Sequence, residues 1–238
     1  MATAATARLR ARLAGPDRDA RIVHCGRHAV YVALDGWCVG VVSARATAVP
    51  CALRTTLPEL GALADASRAR VVDDQLRLDD TLLRIGRLLD LTVPALPSPR
   101  PWLAEILLDV AQPAADELGD LLDRPLPTLV GQGSGLTPLA DDVLCGWLAI
   151  RHALGTPAPV PDARASTTLL SATLVECAAH GEAIPEFRML VPTMARGDRA
   201  AVARVAEAVA RVGHTSGYGL LLGAGLALQE PMQEDGAA

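Results

Sequence analysis

The sequence predicts an α+β protein, in which a β-rich and mainly antiparallel N-terminal part is followed by a helical C-terminal bundle. The first third is rich in valine and in other residues typical of strands, whereas apolar residues after about position 100 recur at helical spacing. Between these parts, the segment 94–101 holds four prolines and should stay extended. We therefore expect a β-rich domain over residues 1–97 and a helical domain over residues 98–238.

The β-rich part shows several short runs that are separated by turn residues. The pair Asp35-Gly36 is typical of a tight hairpin turn between two such runs. The predicted strands cover residues 21–34, 36–43, 47–53, 70–72 and 75–78, and residues 82–89 fit either a strand or a helix.

The helical part divides at its prolines and glycines. Residues 102–122 should form one or two helices that break near Pro113, and the next helices should cover 138–154 and 163–180. Asp198 can cap a fourth helix, and the last helix follows Ser216. Its small residues, Gly219, Gly223 and Gly225, would let helix backbones approach closely in a bundle.

Composition excludes several classes of function. The chain has no lysine, so all 22 of its basic residues are arginine, which rules out a P-loop nucleotide site and a pyridoxal phosphate enzyme. The net charge of −5 and the lack of a basic run give no reason to expect nucleic-acid binding. We expect no membrane span, no secretory signal and a cytoplasmic protein. The five cysteines are widely spaced and should be buried thiols.

The most informative stretch is GQGSGLTPLADDVLCG, residues 131–146. Its glycines permit backbone conformations that expose N–H groups, and a Thr-Pro pair then suits the start of a helix. Such a turn can bind a phosphate or a carboxylate. The alternative is a capped helix that follows a flexible loop without a ligand. The candidate anion-binding residues are Gly131, Gly133, Ser134, Gly135 and Thr137, with Thr137 as the N-cap and Pro138 as the first helical residue.

Two adjacent acids, Asp141 and Asp142, fall in the first turn of the same predicted helix. They are candidate catalytic residues and candidate ligands of a Mg²⁺ cofactor. Neighbouring residues of a helix point about 100° apart. We therefore expect one acid to face the anion site and the other to face backbone or a neighbouring helix.

A second glycine-flanked loop, GHTSG at 213–217, has the same character. Thr215, Ser216 and Gly217 are candidate anion contacts, and His214 is a candidate acid-base residue. We expect the two loops to face one another across one pocket, since two helix starts aimed at one point bind an anion better than one. The alternative for this loop is a plain turn between helices. Thr167 and Ser171, with Glu182 or Glu186, are secondary candidates for the same site.

The first motif resembles the GxGxGLTPSGDDxLxG signature of the family of uncharacterised domains that includes the AllH-type subunit of oxamate carbamoyltransferase. The segment 167–186 and the GHTSG loop are similar to that family's later motifs, in the same order. The chain departs from the signature at Leu139-Ala140, where the family has Ser-Gly.

The resemblance implies a subunit that takes part in carbamoyl transfer, by which oxalurate and phosphate give oxamate and carbamoyl phosphate. It also implies partner subunits and a small anionic substrate, such as carbamoyl phosphate or oxamate. Two other classes stay open: a non-catalytic assembly subunit and a free-standing protein that binds an anionic metabolite.

Overall fold

The computed structural model describes residues 1–133, 135–159 and 162–230. Eight strands occupy the first part of the chain and, apart from α1, the helices follow from residue 102. The strands are β1 (Ala2–Ala5), β2 (Arg18–Cys25), β3 (Ala29–Leu34), β4 (Trp37–Val42), β5 (Ala52–Arg54), β6 (Ala69–Val72), β7 (Gln75–Leu78) and β8 (Thr81–Leu88). The helices are α1 (Ala7–Leu13), α2 (Trp102–Val110), α3 (Gln112–Leu118), α4 (Leu139–Ala153), α5 (Leu169–Ala179), α6 (Pro185–Arg196), α7 (Arg199–Ala210) and α8 (Ser216–Gln229).

The strands close into a mixed barrel in the order β1-β5-β4-β3-β2-β6-β7-β8, which corrects the predicted mainly antiparallel β part. Two pairings are parallel: β1 with β8, which closes the barrel, and β4 with β5. The alternation of apolar and polar residues predicts where strands lie but not which strands pair. The sequence pattern therefore does not reveal that β1 pairs with β8 or that β4 pairs with β5. The Asp35-Gly36 turn joins β3 to β4 as predicted, with φ angles of 49° and 73°.

Several predicted boundaries are also wrong. The run 21–34 contains two strands, and the strand predicted over 47–53 is the short β5 at 52–54. The predicted helix over 163–180 begins six residues later, at Leu169. Helix α6 had no predicted counterpart, because Pro192 lies inside it and proline ordinarily marks a helix end.

Helix α5 joins the two parts of the chain. Every residue of β4 is buried, because one face of this strand lines the barrel and α5 packs on the other. The Thr173 hydroxyl of α5 accepts a hydrogen bond of 2.9 Å from the Cys38 backbone N–H of β4. The buried side chains of Leu170 and Cys177 also belong to the barrel core. This contact fixes the start of α5 beside the barrel, where the candidate site lies.

No helix in the described residues has both the length and the hydropathy that crossing a membrane requires.

Candidate functional site

The two glycine-flanked loops meet, as predicted. The Thr137 hydroxyl of the first loop lies 3.2 Å from the Ser216 hydroxyl at the start of α8, although 79 positions separate the two residues. Both residues line a cavity of about 270 Å³, between the barrel and the helices. The loops therefore form one site.

A seam of glycines between α4 and α8 brings the loops together. A Cβ atom on Gly223 would lie 1.8 Å from the Val143 carbonyl oxygen, and one on Gly146 would lie 2.0 Å from the Leu220 carbonyl oxygen. The two helix backbones are thus in direct contact, with no side chain between them. This packing places the first turns of α4 and α8 side by side at the cavity.

Asp141 is fully buried and binds three donors from two parts of the chain. Its Oδ1 accepts a hydrogen bond of 2.7 Å from the Gly131 N–H, and its Oδ2 accepts one of 2.6 Å from the Ser171 hydroxyl. The Thr167 hydroxyl donates to the same Oδ2 atom. Asp141 therefore ties the first glycine loop to α5, and both its oxygens are engaged.

Gly131 is required for this arrangement. Its φ of 83° is one that residues with a side chain rarely adopt, and a Cβ atom would lie 1.9 Å from the Ser166 carbonyl oxygen. The loop can pass this close to the chain ahead of α5 only because position 131 has no side chain.

Asp142 faces the cavity, whereas Asp141 faces backbone and α5, so the predicted division between the two acids is confirmed. The Asp142 Oδ2 atom is buried and has no hydrogen-bond partner among the described residues. Burial, with a smaller contribution from the neighbouring Asp141, raises the pKa of this carboxyl to about 7, and the Ser216 and Thr137 hydroxyls oppose the rise. Near neutral pH, Asp142 can therefore either donate or accept a proton.

The raised pKa of Asp142 predicts how stability depends on pH. Because the folded pKa of about 7 exceeds the ordinary value of 3.8, the folded state holds this proton more tightly than the unfolded state. The resulting stabilisation is complete below the unfolded value and is lost as the pH rises through about 7. Between pH 5 and pH 8, the wild type should lose about 2 kcal/mol of unfolding free energy more than Asp142→Asn does. Urea titrations of both proteins across this range measure the difference, and parallel pH profiles would contradict it.

Two of the backbone N–H groups predicted to hold an anion, at Gly131 and Gly217, are occupied by the protein itself, as is the Ala140 N–H near the start of α4. The Ala140 N–H donates to the Gln132 carbonyl at 3.1 Å, and the Gly217 N–H donates to the Val212 carbonyl at 3.0 Å. The Gly131 N–H is taken by Asp141. Gly133 and Gly135 have the expected positive φ angles, while Ser134 lies outside the described residues.

The predicted N-cap of α4 is wrong. Helix α4 begins at Leu139 with Pro138 as its N-cap, one residue later than expected, because the Thr137 hydroxyl contacts Ser216 and does not cap α4. Thr215 is the N-cap of α8, and its side chain makes no capping hydrogen bond.

The remaining candidates lie away from the cavity surface. His214 is exposed and is not among the described residues that line the cavity. The Thr167 and Ser171 hydroxyls both donate hydrogen bonds to the Asp141 carboxylate. Glu186, in the first turn of α6, has a buried Oε2 atom without a described partner.

Of the acid pair, only Asp142 is left for a magnesium ion. Both Asp141 oxygens already accept hydrogen bonds from N–H or O–H donors, whereas the Asp142 Oδ2 atom has no partner among the described residues. Among the described residues, no group of three His, Cys, Asp or Glu side chains converges on one point. Magnesium usually keeps several waters and is bound through one or two carboxylates, so a magnesium site at Asp142 stays a prediction.

The barrel side of the cavity had no predicted residues. Tyr31 of β3 and the segment that includes Thr47, Val49 and Pro50 line the cavity opposite the loops. Glu182, which follows α5, also lines it and forms an ion pair of 3.0 Å with Arg8 of α1. Burial raises the pKa of Glu182, and Arg8 opposes this effect. No local pattern marks Tyr31 or the segment 47–50, because only the closure of the barrel brings them to the loops. Glu182, a secondary candidate, does line the cavity.

Comparison with known families agrees with the resemblance seen in the motifs. Residues 129–228 match the family model described as oxamate carbamoyltransferase subunit AllH. This part of the chain is therefore similar to the AllH family. The matched segment contains both glycine-flanked loops, the acid pair and most of the helices that form the cavity, whereas the barrel lies outside the match. No curated protein and no solved structure gave a significant match to the chain.

Proposed function

We propose that the chain is a subunit of a carbamoyl-transferring enzyme of the oxamate carbamoyltransferase type, and that Asp142 is its acid-base residue. The observation that carries this proposal is the buried Asp142 carboxyl, whose Oδ2 atom has no hydrogen-bond partner among the described residues, in the cavity where the two loops meet. The match to a carbamoyltransferase subunit covers the residues that build this part of the site.

The chemistry requires one proton transfer at nitrogen. In phosphorolysis of oxalurate, a phosphate oxygen attacks the carbamoyl carbon, and the bond from that carbon to the oxamate nitrogen breaks. The protonated Asp142 carboxyl would give its proton to the departing nitrogen. In the reverse direction, the carboxylate would accept a proton as the oxamate nitrogen attacks carbamoyl phosphate. A pKa of about 7 suits both roles at neutral pH.

We place the amide or ureido group, not the phosphate, beside Asp142. Two of the backbone N–H groups expected to bind an anion, at Gly131 and Gly217, are engaged within the protein. The described residues that line the cavity include no arginine and no histidine, and the chain has no lysine. The groups that hold phosphate would then come from partner subunits, in keeping with a family whose name denotes a subunit.

Asp142→Asn is expected to lower carbamoyl transfer by about 100-fold or more, since losing a general acid-base group typically costs this much. The enzyme should be purified together with its partners from its own cells, by a tag on this chain. Carbamoyl phosphate formation from oxalurate and phosphate is then measured. Asp120→Asn is the matched control, because Asp120 is exposed and lies outside the described cavity lining.

Full activity of Asp142→Asn in a wild-type-like assembly would refute the catalytic role of Asp142 and favour a non-catalytic assembly subunit. If the wild-type preparation converts neither oxalurate nor another ureido compound, the transferase proposal fails. Ligand binding without turnover would then favour the metabolite-binding class.

A further inference from the structure

The wall of the cavity is mainly hydrocarbon. Polar groups cluster where the Thr137 and Ser216 hydroxyls lie beside Asp142. The rest of the wall comes chiefly from aliphatic side chains of the segment before β5, of α5, of the turn before α6 and of α8. These apolar lining residues include Val49, Leu170, Leu174, Ile184, Val212 and Leu220.

The cavity is too large and too apolar for oxamate alone. Its volume is about 270 Å³, whereas an apolar cavity of roughly 150 Å³ already holds a benzene molecule. Oxamate consists of two joined carbonyl groups and has no hydrocarbon portion that could contact the aliphatic wall. A ligand that filled this space would need an apolar body in addition to its amide group.

The charges at the cavity also disfavour an anionic ligand. Asp142 and Glu182 are both acids, and the described lining contains no arginine or histidine. The nearby cation, Arg8, is already paired with Glu182. Moving a carboxylate from water to this wall would cost free energy that no opposite charge of the described lining offsets. An amide N–H₂ group, by contrast, can donate to the unpaired Asp142 Oδ2 atom.

We infer that the cavity binds an uncharged primary amide or ureido compound with a hydrocarbon body. Its N–H₂ group donates to the Asp142 carboxyl, and its body packs against Leu170, Leu174 and Ile184. The inference rests on the proposed function for the reacting group, and it replaces oxamate with an apolar amide as the carbamoyl acceptor.

Binding of a series of straight-chain amides to the full chain tests the inference. Butyramide, valeramide and hexanamide, with oxamate and oxalurate for comparison, are titrated by calorimetry. Each added methylene should tighten binding about fourfold, which corresponds to about 0.8 kcal/mol of burial. Oxamate and oxalurate should bind more weakly than every member of the series.

Two variants assign this binding to the cavity wall. Leu174→Thr keeps a branched side chain but makes the wall more polar, so it should reduce the gain per methylene to about twofold or less. Leu88→Thr is the matched control, because Leu88 is exposed and lies outside the described lining. If Leu174→Thr folds poorly, Leu170→Thr on the same wall takes its place.

The outcomes separate this inference from the proposed function. Tightest binding by oxamate, or affinity that does not change with chain length, would overturn the inference even if the assembly transfers carbamoyl groups. If the affinity rises with the length of the amide but the assembly transfers no carbamoyl group, the result would support an apolar amide as the ligand of the cavity. The same result would refute the transferase proposal. If the affinity rises by the same factor per methylene in wild type and in Leu174→Thr, binding occurs elsewhere, which also overturns the inference.

Discussion

Asp141→Ala is expected to lower the free energy of unfolding by about 3–5 kcal/mol, because each donor left without an acceptor away from water costs about 1–3 kcal/mol. The substitution removes the acceptor of three donors: the part-buried Gly131 N–H and Thr167 hydroxyl and the buried Ser171 hydroxyl. It also releases the first glycine loop from α5, so ligand binding at the cavity should be lost with stability. Urea denaturation followed by tryptophan fluorescence measures the effect.

Single-donor variants provide an internal scale for this prediction. Ser171→Ala removes one hydrogen bond to Asp141 but leaves two donors, so it should cost about 1–3 kcal/mol, the range for hydrogen bonds to charged groups. Asp120→Ala, on the exposed surface, should change stability by less than about 0.5 kcal/mol. Asp141→Ala with the stability of Asp120→Ala would mean that the acid does not organise the loop.

Gly223→Ala is expected to destabilise the protein by about 3 kcal/mol, at the upper end for overpacking. The added Cβ atom would lie 1.8 Å from the Val143 carbonyl oxygen and 2.7 Å from the Trp147 nitrogen, and both are backbone atoms that cannot rotate away. Helices α4 and α8 must therefore separate, which also moves Ser216 away from Thr137. Thermal and urea unfolding measure the loss, and amide binding should weaken in parallel.

Gly86→Ala is the matched control for the same change of residue. Position 86 lies in β8, and a Cβ atom there would have no neighbour closer than 3.8 Å. We expect a change of less than about 1 kcal/mol, in either direction. If Gly223→Ala unfolds like Gly86→Ala, the helix seam accommodates a methyl group and cannot be what sets the geometry of the loops.

The sequence predicts the helical side of the site well, because its signals are local. The 100° step between Asp141 and Asp142 is sufficient to predict that only one acid faces the cavity, and the glycines mark both loops. It was harder to predict from the sequence which backbone N–H groups at the start of α4 are free to bind a ligand. Whether the Ala140 N–H is free depends on the Gln132 carbonyl, whose position follows from the fold of the whole loop.

The barrel side of the site could not be predicted in this way. Tyr31 and Val49 reach the cavity only because the strands close into a barrel and α5 packs against β4. Closure depends on the parallel pair of β1 with β8, whose residues lie about 80 positions apart in the chain. Alternation within a strand carries no information about such a distant partner.

Barrel closure has a consequence for assembly. Every strand of the barrel has a hydrogen-bonded neighbour on both sides, so none presents the open edge onto which a partner's strand could add. A subunit that binds this part of the chain would therefore have to recognise side chains on the barrel surface or at its ends. Subunit selection would then depend on surface residues, which can change without altering the barrel's hydrogen bonds, so related assemblies could exchange partners while keeping the same barrel.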